Sequence, residues 1–272
     1  MKTLVGNLAK MNTNLLLREA QYHLPMKDIL DPLEPLNMNG LIGKELRLEY
    51  CGYINSVLSG EQMTKAYGEG LTYREFCESP LASPSIFRPE LSQIHDGIAL
   101  RDYDWEMRNH LTPHVVYISF TGNYKVGVTK EDNLPYRWID QGATQAILLA
   151  KTPYRQLAGL IEVSLKDHIS DRTSWQRMLK GLVADRDILE VRNELIAHIP
   201  PELYQYISHN EHITEIDYPV GKYPTKVKSR NLGKEKVIEG RLVGIKGQYL
   251  MFDDNSVMNV RSHAGFRVTL KY

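Results

Sequence analysis

The chain has 272 residues, of which 42% are hydrophobic and 24% are charged, an ordinary composition for a globular protein of about one to three domains. Its 33 Lys and Arg residues are balanced by 33 Asp and Glu residues, so no global field attracts polyanions. Any binding of nucleic acid therefore has to come from local clusters of basic residues.

Cysteines are few, and no long apolar run is present. The two cysteines, Cys51 and Cys77, are too few for a disulfide framework or a cysteine zinc site, which fits a reducing compartment. Lys10, Asn12 and Arg18 interrupt the N-terminal sequence, which therefore lacks the apolar core of a signal peptide. No run approaches the roughly 20 apolar residues of a membrane span. We therefore expect a cytoplasmic protein with no membrane partner.

The first predicted region, residues 1–112, is β-rich and irregular. Residues 44–54, KELRLEYCGYI, alternate polar and apolar side chains, which predicts a half-buried strand. Residues 77–90, CESPLASPSIFRPE, are dense in proline and serine, so a continuous helix is not expected there.

The second predicted region, residues 113–200, alternates strand and helix patterns. We predict an antiparallel hairpin first, because two β-prone runs flank a Gly-Asn turn. Helices with apolar residues at helical spacing follow, separated by one further strand. The predicted elements are strands HVVYISF (114–120) and YKVGVT (124–129), a helix from Pro135, strand AILLAKT (146–152), a helix at 154–169, and helical patterns up to about 199, before Pro200-Pro201.

The third predicted region, residues 201–272, is rich in short strands. Residues 236–272 contain at least four strand-like runs with turn residues between them, a pattern typical of a small β-barrel-like domain. The chain is thus predicted to be α+β, with an irregular β-rich N-terminal region, a central α/β core of a hairpin plus helices, and a small C-terminal β-barrel-like domain.

A basic segment lies near the start of the third region. Residues 222–241 contain seven basic and two acidic residues, and Tyr218 and Tyr223 are interleaved with them. Such a segment is a candidate nucleic-acid surface, because lysines bind phosphates and tyrosine rings stack on bases. The alternative is a solvated edge strand whose lysines prevent sheet-to-sheet aggregation. The candidate nucleic-acid-binding residues are Lys222, Lys226, Lys228, Arg230, Lys234 and Lys236.

Well-known nucleotide and hydrolase motifs are absent from the sequence. Gly244, Lys246 and Gly247 do not form a P-loop, because neither the required spacing nor a following helix is predicted. The sequence contains no G-x-S-x-G elbow, no H-E-x-x-H motif and no EF-hand loop.

Four short motifs in the central region occur in an order that resembles the GIY-YIG nuclease superfamily. The sequence VVY (115–117) is similar to its first motif, and KVG (125–127) to the second in the branch that reads K-I/V-G. Arg137 is similar to the helix arginine, and Glu162 to the glutamate on the following helix. The resemblance covers residues 114–175 and implies a GIY-YIG-like core that interacts with nucleic acid.

The resemblance implies a role for each candidate catalytic residue. The guanidinium of Arg137 would bind a phosphate, and Glu162 would be the metal ligand for Mg²⁺ or Mn²⁺. Tyr117 would orient or deprotonate a water molecule if its pKa were lowered. Lys125 replaces the tyrosine of the second motif, which weakens the case for catalysis.

Each of these residues also has a structural alternative. Tyr117 fits a core aromatic residue, and Arg137 fits a solvated helix residue beside a buried Trp138. Glu162 lies in an apolar helix segment, where a carboxylate is usually paired or functional, and Arg137 is a candidate structural partner. If the nuclease interpretation holds, the side chains of Tyr117, Arg137 and Glu162 converge on one open cleft.

The whole sequence resembles an uncharacterised bacterial family catalogued as domain of unknown function 2797. The resemblance is carried by YKVGVT with PYRWIDQGATQA, by AGLIEVSLKDHISDRTSWQRMLKG, and by YPTKVKSRNL with EGRLVGIKGQYLMFDDNSVMNVRSHAGF. The family pattern implies C-x-x-C pairs and a zinc ribbon before the hairpin. In this chain one pair falls at Ser56 and Ser59 and another at Thr72 and Glu75, and further family cysteines fall near Ala82, Ser85, Ser92 and Ala99.

The loss of these cysteines predicts that this member binds no structural zinc. The neutral side chains of Ser, Thr and Ala do not replace thiolates around Zn²⁺. The region would then be held by packing of apolar and aromatic residues instead.

Two functional hypotheses remain open at this point. In the first, the protein is a metal-dependent nuclease whose central core cleaves DNA or RNA. In the second, it is a non-catalytic nucleic-acid-binding or protein-interaction module on a nuclease-like scaffold. The sequence carries no signal that identifies a protein partner.

Overall fold

A computed structural model describes residues 2–27 and 34–272 of the protein. The chain divides into two compact units: unit 1 contains Met1–Phe76 and Asp217–Tyr272, and unit 2 contains Cys77–Ile216. Within the described part of the chain, no helix has the length and apolar character needed to cross a membrane.

The secondary structure mixes α and β elements, as expected for the α+β class. The strands are β1 (Thr3–Leu8), β2 (Asn12–Leu16), β3 (Glu19–Leu24), β4 (Met26–Lys27), β5 (Leu36–Asn37), β6 (Glu45–Asn55), β7 (Gln62–Met63), β8 (His114–Phe120), β9 (Tyr124–Lys130), β10 (Gln145–Thr152), β11 (Thr214–Glu215), β12 (Lys228–Ser229), β13 (Val237–Lys246), β14 (Tyr249–Phe252), β15 (Ser256–Asn259) and β16 (Phe266–Lys271). The helices are α1 (Tyr73–Glu78), α2 (Pro84–Phe87), α3 (Tyr103–His110), α4 (Tyr136–Asp140), α5 (Arg155–Ser164), α6 (Trp175–Met178), α7 (Ile188–Ile196) and α8 (Leu232–Glu235).

Unit 1 is built on a sheet to which both ends of the chain contribute. Its strand order is β12-β15-β14-β13-β6-β16-β1-β4, with β7 paired to β6. The strand predicted at 44–54 is confirmed as β6, whose Leu46 and Leu48 side chains are buried. Leu48 lies opposite Ile238 of β13 and Leu270 of β16, both of which are also buried. This apolar row explains why β6 occupies the middle of the sheet.

The C-terminal strands are present, but they do not form a barrel of their own. Four strand-like runs were predicted, and β13, β14, β15 and β16 confirm them. A barrel of these strands requires them to pair with one another at both ends. Instead, β6 separates β13 from β16, and β1 pairs with the other edge of β16. In the described residues the sheet is open, so the predicted C-terminal barrel is corrected to part of a shared sheet.

Unit 2 is built on an antiparallel sheet of strand order β11-β10-β8-β9. The predicted hairpin is confirmed as β8 and β9, and the third strand as β10. The helix predicted at 154–169 ends at Ser164, because residue 170 pairs alongside Lys125 of β9 instead of continuing the helix. One apolar cluster joins the sheet to α5 and α7 through the buried residues Val116, Ile118, Val126, Val128, Ile147, Leu149, Ala150, Ala158, Ile161, Leu165, Ile188, Val191, Leu195, Ile199 and Leu203.

The two units differ from the three predicted regions, 1–112, 113–200 and 201–272. The structure changes unit at residues 76/77 and 216/217. Residues 77–112 belong with the central core because they pack on α5: Arg155 Nε donates to the Ser85 carbonyl at 2.8 Å. Residues from 217 onward belong with the N-terminal strands because β13 and β16 pair with β6.

Candidate functional site

Tyr117 and Gly127 face each other across the hairpin. They are paired residues of β8 and β9, and the Tyr117 side chain is fully buried. A Cβ atom on Gly127 would lie 2.6 Å from the Tyr117 hydroxyl oxygen and 2.7 Å from the ring carbon that carries it. The glycine of KVG is therefore required because the tyrosine ring of VVY lies directly across its backbone.

Helix α4 closes over the same tyrosine and presents Arg137. The buried Trp138 packs edge-on against Tyr117, with ring centroids 6.0 Å apart. Gln141 lies 2.8 Å from the Tyr117 hydroxyl, and its amide oxygen accepts from Nε and Nη2 of Arg137, both at 3.2 Å. Only this orientation of the Gln141 amide satisfies both neighbours. The side-by-side Arg and Trp thus have separate tasks: Trp138 anchors the helix, and Arg137 is oriented through Gln141.

The environment of Tyr117 keeps its hydroxyl protonated. Burial raises the pKa of the Tyr117 phenol, although the neighbouring Arg137 opposes this effect. A tyrosine that deprotonates water needs a lowered pKa and access to that water. The pKa of Tyr117 is raised instead, and its side chain is buried away from solvent. Its contacts instead make Tyr117 a positioning residue for Gln141 and Arg137.

Lys125 is a nearly buried lysine on β9. Its ammonium donates to the Thr173 hydroxyl at 3.4 Å. Burial and the positive charge of Arg137 together lower the pKa of Lys125 to about 8, although Glu162 and Asp171 act in the opposite direction. Lys125, Arg137 and Glu162 therefore lie within electrostatic range of one another.

Glu162 places a carboxylate on α5 without an internal partner. The residue is only 8% exposed, and among the described residues no hydrogen bond or ion pair reaches its side chain. Burial raises the pKa of Glu162; Lys166 lowers it, and the carboxylate of Asp171 raises it again. The structural alternative, a direct ion pair with Arg137, is not formed. A buried carboxylate without a partner is costly, so Glu162 remains a candidate functional residue.

The five residues Tyr117, Lys125, Arg137, Gln141 and Glu162 are called the polar cluster below. The sequence predicted four of them, and the structure brings those four together. It missed Gln141, whose position four residues after Arg137, at the C-cap of α4, was the available signal. Arg137 is half-buried and the other three predicted residues are nearly or fully buried, so an open cleft at these residues stays a prediction.

The candidate nucleic-acid residues of the basic segment are mostly exposed in unit 1. Lys222, Lys226, Lys228, Lys234 and Lys236 all have exposed side chains. Arg230 is half-buried and engaged: its Nε lies 2.8 Å from a Glu235 carboxylate oxygen, and its Nη1 donates to the Glu239 carbonyl at 2.9 Å. Lys236 also has internal contacts, to the Gly233 carbonyl and the Tyr50 ring. Arg230 is thus the candidate least available to a phosphate.

A comparison with protein families shows which family the chain belongs to. A family model described as "Protein of unknown function (DUF2797)" matches residues 43–268, which include the polar cluster and the basic segment. The chain belongs to the DUF2797 family. No curated protein and no solved structure matches it.

In this DUF2797 chain, four of the positions at which the resemblance implied cysteines meet around one carboxylate. Oε2 of Glu75 accepts from the Ser56 hydroxyl at 2.6 Å and from the Thr72 backbone nitrogen at 2.7 Å. The Glu75 nitrogen donates to the Thr72 hydroxyl at 3.2 Å, so Thr72 and Glu75 form a capping box at the start of α1. The four positions Ser56, Ser59, Thr72 and Glu75 are therefore joined by hydrogen bonds centred on Glu75. Among the residues that the structure describes, no group of three or more His, Cys, Asp or Glu side chains is arranged to hold a metal ion.

Glu75→Gln is expected to remove a pH-dependent part of the stability. Burial alone would raise the pKa of Glu75, but hydrogen bonds from Ser56, Ser59 and Thr72 lower it to about 2. Because the folded pKa lies below the unfolded value, the stabilisation is present above pH ~4.5 and is lost as the pH falls towards about 2. With allowance for solvent screening, we expect a loss of about 1–2 kcal/mol at neutral pH in the variant.

Thermal denaturation of wild type and variant from pH ~7 to ~3 measures this effect. The two melting curves should converge as the pH falls, because protonated Glu75 no longer accepts these hydrogen bonds. A constant difference between them at every pH would show that the Glu75 carboxylate does not carry the stabilisation.

Proposed function

We propose that the protein interacts with nucleic acid through a GIY-YIG-like core in unit 2 and hydrolyses a phosphodiester bond there with a divalent cation. The observation that carries the proposal is the carboxylate of Glu162, which is nearly buried and unpaired beside the charges of Arg137 and Lys125. Two neighbouring cations and an unpaired carboxylate match a phosphate group and its metal ion. The order of hairpin, α4, β10 and α5 is consistent with the superfamily that the sequence resembles.

Each residue of the polar cluster would have a separate role. Arg137, oriented by Gln141, would bind the non-bridging oxygens of the phosphate in a fork. Lys125 would add a second positive charge near the same group and favour its developing negative charge. The Tyr117 hydroxyl would hold Gln141, and through Gln141 also Arg137, in position. Tyr117 would not exchange a proton with the substrate.

A divalent cation fits the chemistry of the carboxylates in this site. Mg²⁺ and Mn²⁺ prefer oxygen ligands, and Mg²⁺ commonly uses one or two protein carboxylates together with water and substrate phosphate. Glu162 would hold the cation, and Asp171 is near enough to influence the pKa of Glu162. Bound there, a cation neutralises charge on the reacting phosphate.

A second candidate is a non-catalytic nucleic-acid-binding or protein-interaction module on the same scaffold. It is favoured by the raised pKa and complete burial of Tyr117, which leave the first motif without a base. The presence of Lys125 in place of the tyrosine of the second motif also favours a non-catalytic module. Under this alternative, Arg137 and the basic segment would still bind nucleic acid.

The proposed function is tested by binding and cleavage of a panel of labelled single-stranded, duplex and branched DNA and RNA with Mg²⁺ or Mn²⁺. We expect the wild type to bind and cut at least one substrate. Arg137→Met should lower the affinity about tenfold and reduce cutting further, because the phosphate loses its oriented guanidinium. Arg108→Met, which alters an exposed arginine on α3, is the matched control.

Each outcome separates the candidates. Cutting that Arg137→Met reduces supports the nuclease. Binding without cutting supports the binding module. If neither binding nor cutting is observed, both nucleic-acid proposals fail and a protein partner becomes the leading interpretation.

A further inference from the structure

Lys246 is a buried cation in unit 1 that the polar cluster does not use. It ends β13, and only 1% of its surface is exposed. Its ammonium lies 5.1 Å from the centroid of the Tyr218 ring and 5.6 Å from that of the Tyr223 ring. Among the described residues, no hydrogen bond or ion pair reaches this ammonium. Three N–H donors are thus held between two aromatic rings without an acceptor.

The surrounding backbone holds this arrangement in place. The Ile245 nitrogen donates to the Pro219 carbonyl at 3.0 Å, and the Gly221 nitrogen donates to the Val243 carbonyl at 2.8 Å. These bonds tie the segment that carries both tyrosines to the end of β13. Gly244 allows the close approach, since a Cβ there would lie 2.9 Å from a methyl group of Val220. The site is therefore constructed from a strand and a fixed loop.

A buried ammonium without an acceptor is costly to a protein. Burial lowers the pKa of Lys246 to about 8, so the side chain is still mostly charged at neutral pH. Two tyrosine faces offset only part of the lost hydration. The acceptor that would complete the site is an anion, and the exposed Lys222 and Lys226 on the same segment attract polyanions to it.

We propose that Lys246, Tyr218 and Tyr223 form a seat for one nucleotide of a single-stranded nucleic acid, whose phosphate accepts from Lys246 while its base stacks on a tyrosine ring. Both tyrosines are half-buried, and Tyr223 is the ring on which we expect the base to stack. The proposal rests on the proposed nucleic-acid binding and adds to it a binding site in unit 1, independent of cleavage in unit 2.

The test combines affinity with stability for Lys246→Met in the full chain. Fluorescein-labelled oligo(dT) and oligo(U) of about eight nucleotides are the probes. We expect the affinity to fall about tenfold and the slope of log affinity against log salt to decrease by about 0.7, the value for one phosphate contact on a single strand. The melting temperature should stay unchanged or rise, since methionine removes a buried charge. Tyr223→Leu should lower the affinity about tenfold through lost stacking.

Lys65→Met is the matched control, because its ammonium also lies over a tyrosine ring, 4.8 Å from the centroid of Tyr67, but is exposed to solvent. It should leave the affinity unchanged. If the wild type binds the oligonucleotides and Lys246→Met binds them with unchanged affinity, the seat is wrong, but the proposed function is not contradicted. A lower melting temperature in Lys246→Met shows that the lysine is a structural clamp between the rings, and also overturns the seat. If the wild type binds no oligonucleotide, the seat and the proposed function both fail.

Discussion

Replacing Glu162 by glutamine is expected to abolish metal-dependent cleavage while leaving nucleic-acid binding within about threefold of the wild type. The glutamine keeps the size of the side chain but loses the negative charge that holds the cation. The loss in rate should reach about 10²-fold or more, the range for removal of a group that stabilises developing charge. Titration of Mg²⁺ and Mn²⁺ at saturating substrate measures whether the variant has lost cation affinity or turnover.

The stability of the Glu162→Gln protein gives an independent readout. The carboxylate is nearly buried and has no partner among the described residues, so its neutral replacement should fold at least as stably as the wild type. Glu190→Gln, an exposed change on α7, is the matched control and should alter neither cleavage nor stability. A marked loss of stability in Glu162→Gln would instead show that Glu162 has a structural role.

The pH dependence of cleavage follows from the same carboxylate. Burial raises the pKa of Glu162 above its usual range, so protons compete with the cation at mildly acidic pH. Cleavage should therefore increase as the pH rises through this pKa, and a higher cation concentration should shift the rise to lower pH. A rate independent of both pH and cation would contradict metal binding at Glu162.

Local features of the fold were predictable from the sequence, and long-range pairing was not. The hairpin of β8 and β9 followed from two β-prone runs around Gly122-Asn123, because a tight turn joins strands that are neighbours in sequence. Strand β6 was also recognised from its alternation, but its partners are β13 and β16, about 190 and about 220 residues further along the chain. No local pattern encodes such a pairing, and for this reason the C-terminal strands suggested a separate barrel.

Local sequence patterns also predicted only part of the candidate site. Glu162 was detectable because it is a carboxylate within an apolar helix segment. The protonated state of Tyr117 was not, since it depends on the burial of its hydroxyl by α4 and Gly127. The structural contacts of Arg155 were not predictable either, because its donors bind the carbonyls of Ser85 and Ile86, about 70 positions earlier in the chain.

Gly159→Ala should be the most destabilising single-methyl change in unit 2. Helix α5 approaches the 3-10 turn Pro89–Leu91 so closely that a Cβ on Gly159 would lie 2.5 Å from the Pro89 carbonyl carbon and closer still to the Glu90 nitrogen. These are backbone atoms, so no side-chain rotation relieves the overlap. Alanine favours a helix over glycine by about 1 kcal/mol, but overpacking of this kind costs about 1–3 kcal/mol and more when backbone must move.

We expect a net loss of about 1–3 kcal/mol and a melting temperature lower by about 3–9 °C, measured by calorimetry. Gly40→Ala is the matched control, because the nearest atom to its added Cβ lies 4.0 Å away, and it should be neutral or slightly stabilising. Unaltered stability in Gly159→Ala would contradict the close packing of α5 on this turn.

The same substitution should also reduce cleavage by the folded protein, because α5 carries both Glu162 and Arg155, whose positive charge acts on Glu162. Arg155 lies one turn before Gly159 and Glu162 one turn after it, and Arg155 also anchors residues 85–86. A shift of α5 away from Pro89–Leu91 would therefore move Glu162 relative to Lys125 and Arg137. Cleavage should fall about tenfold in folded Gly159→Ala, since small displacements of catalytic groups lower rates steeply. Binding through the basic segment in unit 1 should remain, which separates misplacement of Glu162 from general unfolding.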